Sequence, residues 1–195
     1  MYSSLLATRD NGFTTGFSKT TTSETAGDII TLANVKNWCR ITTSDDDALL
    51  SMLIEAMIDM AEKYAGITLR QKEYTFEFQH YGNTVQLPYG PHVSVDAVRT
   101  KLDGTETTLT AGTDYFVTGQ DFKTLNITES FRYQQLEVDV TAGYGAANVP
   151  ELIQLALYKA VLSNYEDRQD LVEGSAFALP NASKMLLQQY KQVIL

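Results

Sequence analysis

Residues 44–66 read SDDDALLSMLIEAMIDMAEKYAG, and their reading decides the fold. Ser44 suits a helix N-cap, because its hydroxyl accepts one of the backbone N–H groups left unpaired in the first turn. Asp45, Asp46 and Asp47 follow where the helix dipole favours negative charge. Leu50, Leu53, Ile54, Met57, Ala61 and Tyr64 then recur at spacings of three and four, one face of a 3.6-residue period. Gly66 takes the left-handed conformation that ends a helix. Such an element is roughly 30 Å long at about 1.5 Å per residue. Its apolar face has to be buried, so the chain on either side must supply partners.

On the N-terminal side, Thr31–Arg40 (TLANVKNWCR) predicts a short helix with Thr31 as N-cap. Leu32, Val35, Trp38 and Cys39 share one face, and Trp38, the only tryptophan, is expected to pack against the long helix. Residues 1–28 are rich in Ser, Thr and Gly with no period. They are read either as a disordered tail or as an extended N-terminal arm that orders on a partner, with Phe13 and Phe17 as anchors.

On the C-terminal side the period changes near Arg70. Tyr74, Phe76 and Phe78 alternate with Thr75 and Glu77, the signature of a half-buried strand. Leu87–Pro91 interrupts the chain, and Val93–Leu102 is extended again. Asp103-Gly104 predicts a hairpin, since both residues tolerate positive φ. Tyr115–Thr118, Leu125–Thr128 and the alternating Leu136, Val138 and Val140 complete about six short strands within 70–142. Pro150 then opens a helix reaching about Arg168. Leu157 and Val161 lie on its broad apolar face, the natural partner of the helix after Ser44. A last helix is expected over 182–192. The fold class is therefore α+β: a helical bundle from 29–69 and 143–195, with helices near 32–40, 45–65, 150–168 and 182–192, and a β-rich insertion at 70–142. Its expected core is Trp38, Leu50, Leu53, Ile54, Met57, Leu157 and Val161.

Composition narrows the function. The 195 residues carry a net charge of −9, and lysine and arginine form no cluster. A surface that grips phosphate needs one, so tight nucleic-acid binding is disfavoured. An acidic wall past which DNA slides remains compatible. No apolar run is long enough to span a membrane, and residues 1–13 lack the pattern of a signal peptide. The lone Cys39 forms no internal disulfide and suits a reducing compartment.

The chain holds no phosphate-binding glycine loop, zinc motif or nucleophile elbow. His80 and His92 flank a loop without a third metal ligand. Asp45–Asp47 point in different directions on a helix, and helix-start electrostatics accounts for them. Glu55 and Asp59 read as a solvated face, and Arg168 as a complement to a helix C-terminus. Cys39 has no histidine near it in sequence to activate it as a nucleophile. No catalytic residue, cofactor site or metal site is expected.

The order of these pieces carries a resemblance. The capped helix at Asp45–Asp47, LPxxP at Leu87–Pro91, AGYGxxxVP at Ala142–Pro150 and the helix end at Tyr165–Arg168, taken in sequence, resemble the head–tail connector (adaptor, or head completion) proteins of tailed phages. The similarity is to the longer branch with a β insertion and runs from about Ile29 to Tyr190. It implies a structural, non-enzymatic virion protein, made in the host cytoplasm and placed at the capsid vertex. Such subunits form a homo-oligomeric ring, typically of twelve copies, under the portal protein. The ring extends the channel for double-stranded DNA, which passes without specific binding, and docks the next neck or tail protein. The resemblance also implies ring contacts through the helical bundle and docking through the termini. Tyr190, Val193, Ile194 and Leu195 are then interface candidates beside Phe13 and Phe17. The alternatives are a DNA-packaging accessory protein that binds DNA directly, and a hydrolase using carboxylates of the β section.

Overall fold

The computed structural model describes residues 9–10, 13–14, 16–25, 27–79, 82–128, 135–145, 148–166 and 178–192. Among these lie ten strands and four α-helices, and every strand ladder is antiparallel. The fold is α+β. The chain divides into two compact units: a helical one from Ala26–Arg70 and Tyr144–Lys191, and a β unit from Met1–Thr25, Gln71–Gly143 and Gln192–Leu195.

In the helical unit, α1 spans Leu32–Cys39. The Thr31 hydroxyl accepts from the Asn34 N–H at 3.2 Å, as the capping chemistry requires. Arg40 ends the helix in the left-handed region at φ 56°. The long helix α2 spans Asp47–Ala65 and closes at Gly66, whose φ is 67° and whose N–H donates to the Glu62 carbonyl. Its N-cap is Asp46 rather than Ser44, and the Asp46 side chain makes no capping bond. That carboxylate instead accepts from the Tyr165 hydroxyl near the end of α3, Glu151–Glu166. Asp47 is drawn into an ion pair with Lys36 of α1 at 2.6 Å. The acidic start of α2 is thus spent on tying three helices together. The final helix is shorter than its pattern suggests: α4 covers Asn181–Leu187, and Gln188–Tyr190 tighten into a 3-10 turn. Ser183 of α4 donates to the Ala156 carbonyl of α3 at 2.8 Å.

The core of this unit is one apolar cluster. Leu50, Leu53, Ile54 and Met57 of α2 are buried together with Ile153, Leu157 and Val161 of α3 and Leu187 of α4. Trp38 departs from expectation. It is 46% exposed, and its ring stacks on Tyr158 with centroids 5.5 Å apart. Val35 is the residue of α1 that is buried. Leu32 and Cys39 pack half-buried on the same core beside Val35, so the inner face of α1 is filled and the Trp38 ring lies on the Tyr158 ring instead.

In the β unit, β1 (Arg9–Asp10) and β2 (Phe13–Thr14) form a two-stranded ladder. Five strands form the main sheet: β3 (Gly16–Glu24), β4 (Lys72–Gln79), β6 (His92–Leu102), β7 (Thr105–Thr108) and β10 (Gln135–Ala142), in the order β3-β4-β10-β6-β7. A second sheet runs β5-β9-β8, from Thr84–Gln86, Thr124–Ile127 and Tyr115–Thr118. The turn between β6 and β7 is a two-residue hairpin in which Asp103 and Gly104 have φ of 48° and 80° and Leu102 pairs with Thr105. Those angles match the twist of the flanking strands. Central β10 alternates half-buried and buried residues along its length. One core gathers Phe76, Phe78, Leu136 and Val138 from the large sheet with Val85, Tyr115 and Leu125 from the small one.

Residues 1–28 show no period in the sequence. Gly16–Glu24 is instead an edge strand, bulged near Thr22 and paired with β4. Only Phe17 of its described side chains is buried, so an alternating pattern had nothing to show.

Candidate functional site

The conspicuous polar grouping lies on one face of the large sheet. Arg99 of β6 donates to Glu137 and to Asp139 of β10, the latter at 2.6 Å, and Lys101 donates to Glu137 at 2.8 Å. Thr75 of β4 adds a 2.7 Å bond to Asp139. Cross-strand register puts these groups opposite one another: Glu137 faces Arg99 and also Glu77. The bonds from Lys101 and Arg99 hold the Glu137 carboxyl below its ordinary value, and Glu137 holds Arg99 above its own. A carboxylate so fully engaged is a structural tie, not a proton-transfer group.

A second grouping surrounds the turn Leu87–Gly90. Gln192 donates through Nε2 to the Leu87 carbonyl at 2.8 Å and accepts through Oε1 from the Gly90 N–H at 3.1 Å. Buried His92 completes the support: Nε2 lies 2.9 Å from the Pro88 carbonyl, and Nδ1 accepts from the Lys123 N–H at 3.2 Å. Both bonds are met by the neutral ring protonated on Nε2. Gly90 has no room for a side chain, since a Cβ there would lie 2.5 Å from the Phe122 ring. Tyr89 joins the aromatic residues of the core, with Lys19 of β3 3.9 Å above its ring centre. This turn is part of the LPxxP stretch of the sequence reading.

Burial pushes the His92 pKa below 6.5, and the Lys123 charge pushes the same way against the bonds from Pro88 and Asp121. The unfolded chain then binds more protons than the folded one as pH drops below 6.5, so stability is full above that value and lost as pH falls beneath it. Urea midpoints measured from pH 7.5 to 5 are expected to fall, and His92→Gln should flatten that decline. An unchanged slope would show that His92 is solvated.

The helical unit presents a third grouping. Leu152 and Trp38 are exposed, Leu155, Tyr158 and Leu162 are half-buried, and Met52 is exposed on α2. Cys39 is half-buried; burial and then the charge of Glu166 raise its thiol pKa, which disfavours the thiolate. Among the described residues no cluster of His, Cys, Asp and Glu could hold a metal ion, and no helix is long and apolar enough to cross a membrane.

Of the interface candidates, Phe17 lies in the β-unit core, 7% exposed, against Phe76 and Phe78. It is a packing residue and has no free face for a partner. The backbone of Phe13 belongs to β2. Tyr190 packs half-buried on the helical core. Val193, Ile194 and Leu195, like His80 and Arg168, lie outside the described residues. The core candidates Leu50, Leu53, Ile54, Met57, Leu157 and Val161 are all buried in one cluster. The Gln192 clamp and the Arg99–Glu137 tie escaped the sequence reading, because each joins residues far apart in the chain.

A family profile of head completion proteins matches residues 28–178, across both units. The chain belongs to the head completion protein family, which assigns it a structural role at the phage head–tail neck. A search of curated protein sequences finds no match. Among solved structures, the fold is similar to a chain from the virion of the native gene transfer agent (GTA) particle, with TM-score 0.69 at 20% identity over 91% of this chain and 96% of that one. It is also similar to chains from the neck of the empty particle computed with C6 symmetry (TM-score 0.66) and of the native particle computed with C12 symmetry (TM-score 0.62). Each of these is 20% identical and covers 89% of this chain and 96% of the other.

Proposed function

We propose that this protein is a head–tail connector subunit of a tailed-phage-like particle, located in the virion neck. Copies assemble as a ring, twelve in number, beneath the portal; the ring extends the DNA channel and seats the next neck or tail protein. The single observation that carries this reading is the family match over residues 28–178, spanning both units. The likeness to chains of GTA necks supports it. The net charge of −9 suits a wall that lets DNA pass without holding it. On this reading the helical unit is the bundle of the connector, 71–143 its β insertion, and the terminal segments, with Phe13, Tyr190 and Val193–Leu195, its docking ends.

The test is to add the purified chain to DNA-filled heads that lack it, count bound copies by quantitative mass spectrometry and image the vertex. About twelve copies per head in a ring at the portal vertex is the expected result. Absence of binding to filled heads and to isolated portals would overturn the proposal.

A further inference from the structure

The turn Leu87–Gly90 is buried apart from half-buried Tyr89. A buried backbone polar group needs a partner, because leaving it unpaired costs free energy. The Leu87 carbonyl and the Gly90 N–H both find theirs in one side chain, that of Gln192. A primary amide suits the pair, since its NH2 donates while its oxygen accepts. Other bonds hold the turn independently of Gln192. The Leu87 N–H donates to the Lys123 carbonyl at 3.0 Å, and the His92 N–H donates to the Asp121 carbonyl at 2.7 Å. They preform the turn as a receptor for residue 192. Phe122, in the same short segment, lies against Gly90 and is 38% exposed.

We infer that the turn Leu87–Gly90 is a latch for the C-terminal segment of the same chain: Gln192 closes it, and the exposed Phe122 ring seats the apolar residues that follow. Those residues are Val193, Ile194 and Leu195. Three extended residues span about 10 Å, which puts the Phe122 ring beside Gly90 within their reach. Gln192–Leu195 also belong to the same compact unit as the turn and Phe122. An apolar run is the complement of an exposed ring, and covering one with the other removes both from water. The latch also has a regulatory consequence, which rests on the connector reading above. It stores a docking end on the free subunit and releases that end to the particle. Storage lowers the apparent affinity by the fraction of subunits whose segment is free.

Amide exchange at Gly90, read by NMR on the free chain, reports the latch directly. Gln192→Ala removes both bonds. Gln192→Glu keeps the length and the acceptor, but it loses the donor and sets a carboxylate against the Leu87 carbonyl. Each variant is expected to speed Gly90 exchange about tenfold, the scale of one lost hydrogen bond. Exchange equal to the wild type overturns the latch. In the wild type, nuclear Overhauser contacts are expected between the Phe122 ring and the methyl groups of Val193–Leu195, and their absence overturns the seat. On connector-free, DNA-filled heads, Gln192→Ala is expected to lower the half-saturating concentration about threefold or more. An equal or higher concentration overturns storage. A wild type that fails to bind heads overturns the connector reading and storage with it, while exchange and the Overhauser contacts still decide the latch.

Discussion

Phe76→Ala is expected to destabilise the β unit by about 3–5 kcal/mol, the cost of deleting a fully buried aromatic side chain. Phe76 is wholly inaccessible and sits at the centre of an aromatic group. Phe17 meets it edge-on at 5.9 Å, Tyr74 and Phe78 lie 5.6 and 6.2 Å away, and Tyr89 stacks on it at 6.3 Å. Removing the ring empties a space that four other rings border. Rings are stiff and relax poorly into a void, so the cavity cost adds to the lost transfer energy. Phe76→Leu keeps more of the volume and should cost less. The check is urea unfolding followed through amide resonances of β4 and β10. A loss below about 1 kcal/mol for Phe76→Ala would show that the aromatic group collapses around the gap.

Leu53→Ala and Leu157→Ala should each cost the helical unit about 2–5 kcal/mol. Both side chains are buried in the cluster joining α2 to α3. Trp38, the only tryptophan, belongs to the same unit, so its fluorescence follows unfolding of that unit. Met52→Ala is the internal control: it lies on the same helix as Leu53 but outward, and should change stability by no more than about 0.5 kcal/mol. Equal losses at positions 52 and 53 would mean that α2 turns Met52 as well as Leu53 into the core.

Which parts of this fold were legible in the sequence follows from the range of the forces involved. Thr31, Gly66 and Asp103-Gly104 act within a few residues, so capping and turn chemistry located their ends directly. Buried alternation in β4 and β10 was visible because both strands bury one full face. Ser44 lost the capping position to a tertiary force: Asp46 is recruited by Tyr165, 119 residues away. Strand β3 was hidden because an edge strand with one side to solvent needs few apolar residues. On α3, apolar residues on both sides of the helix are in plain view in the sequence. Their pattern predicts one broad core face, and only burial separates the inner set from the outer.

The discontinuity of the helical unit has a consequence for how the protein is made. Its first segment ends at Arg70 and its second begins at Tyr144. On the ribosome, α2 emerges with its apolar face uncovered and must wait for α3, while the 73 residues of β unit from Gln71 to Gly143 are synthesised between them. At roughly 5–20 residues per second, that delay is on the order of 4–15 s. Through it Leu50, Leu53, Ile54 and Met57 stay available to any other apolar surface. The nascent chain is therefore a candidate client for a chaperone at the tunnel exit during that interval, and the intervening strands gain by folding early, since closing them draws the two helical segments together.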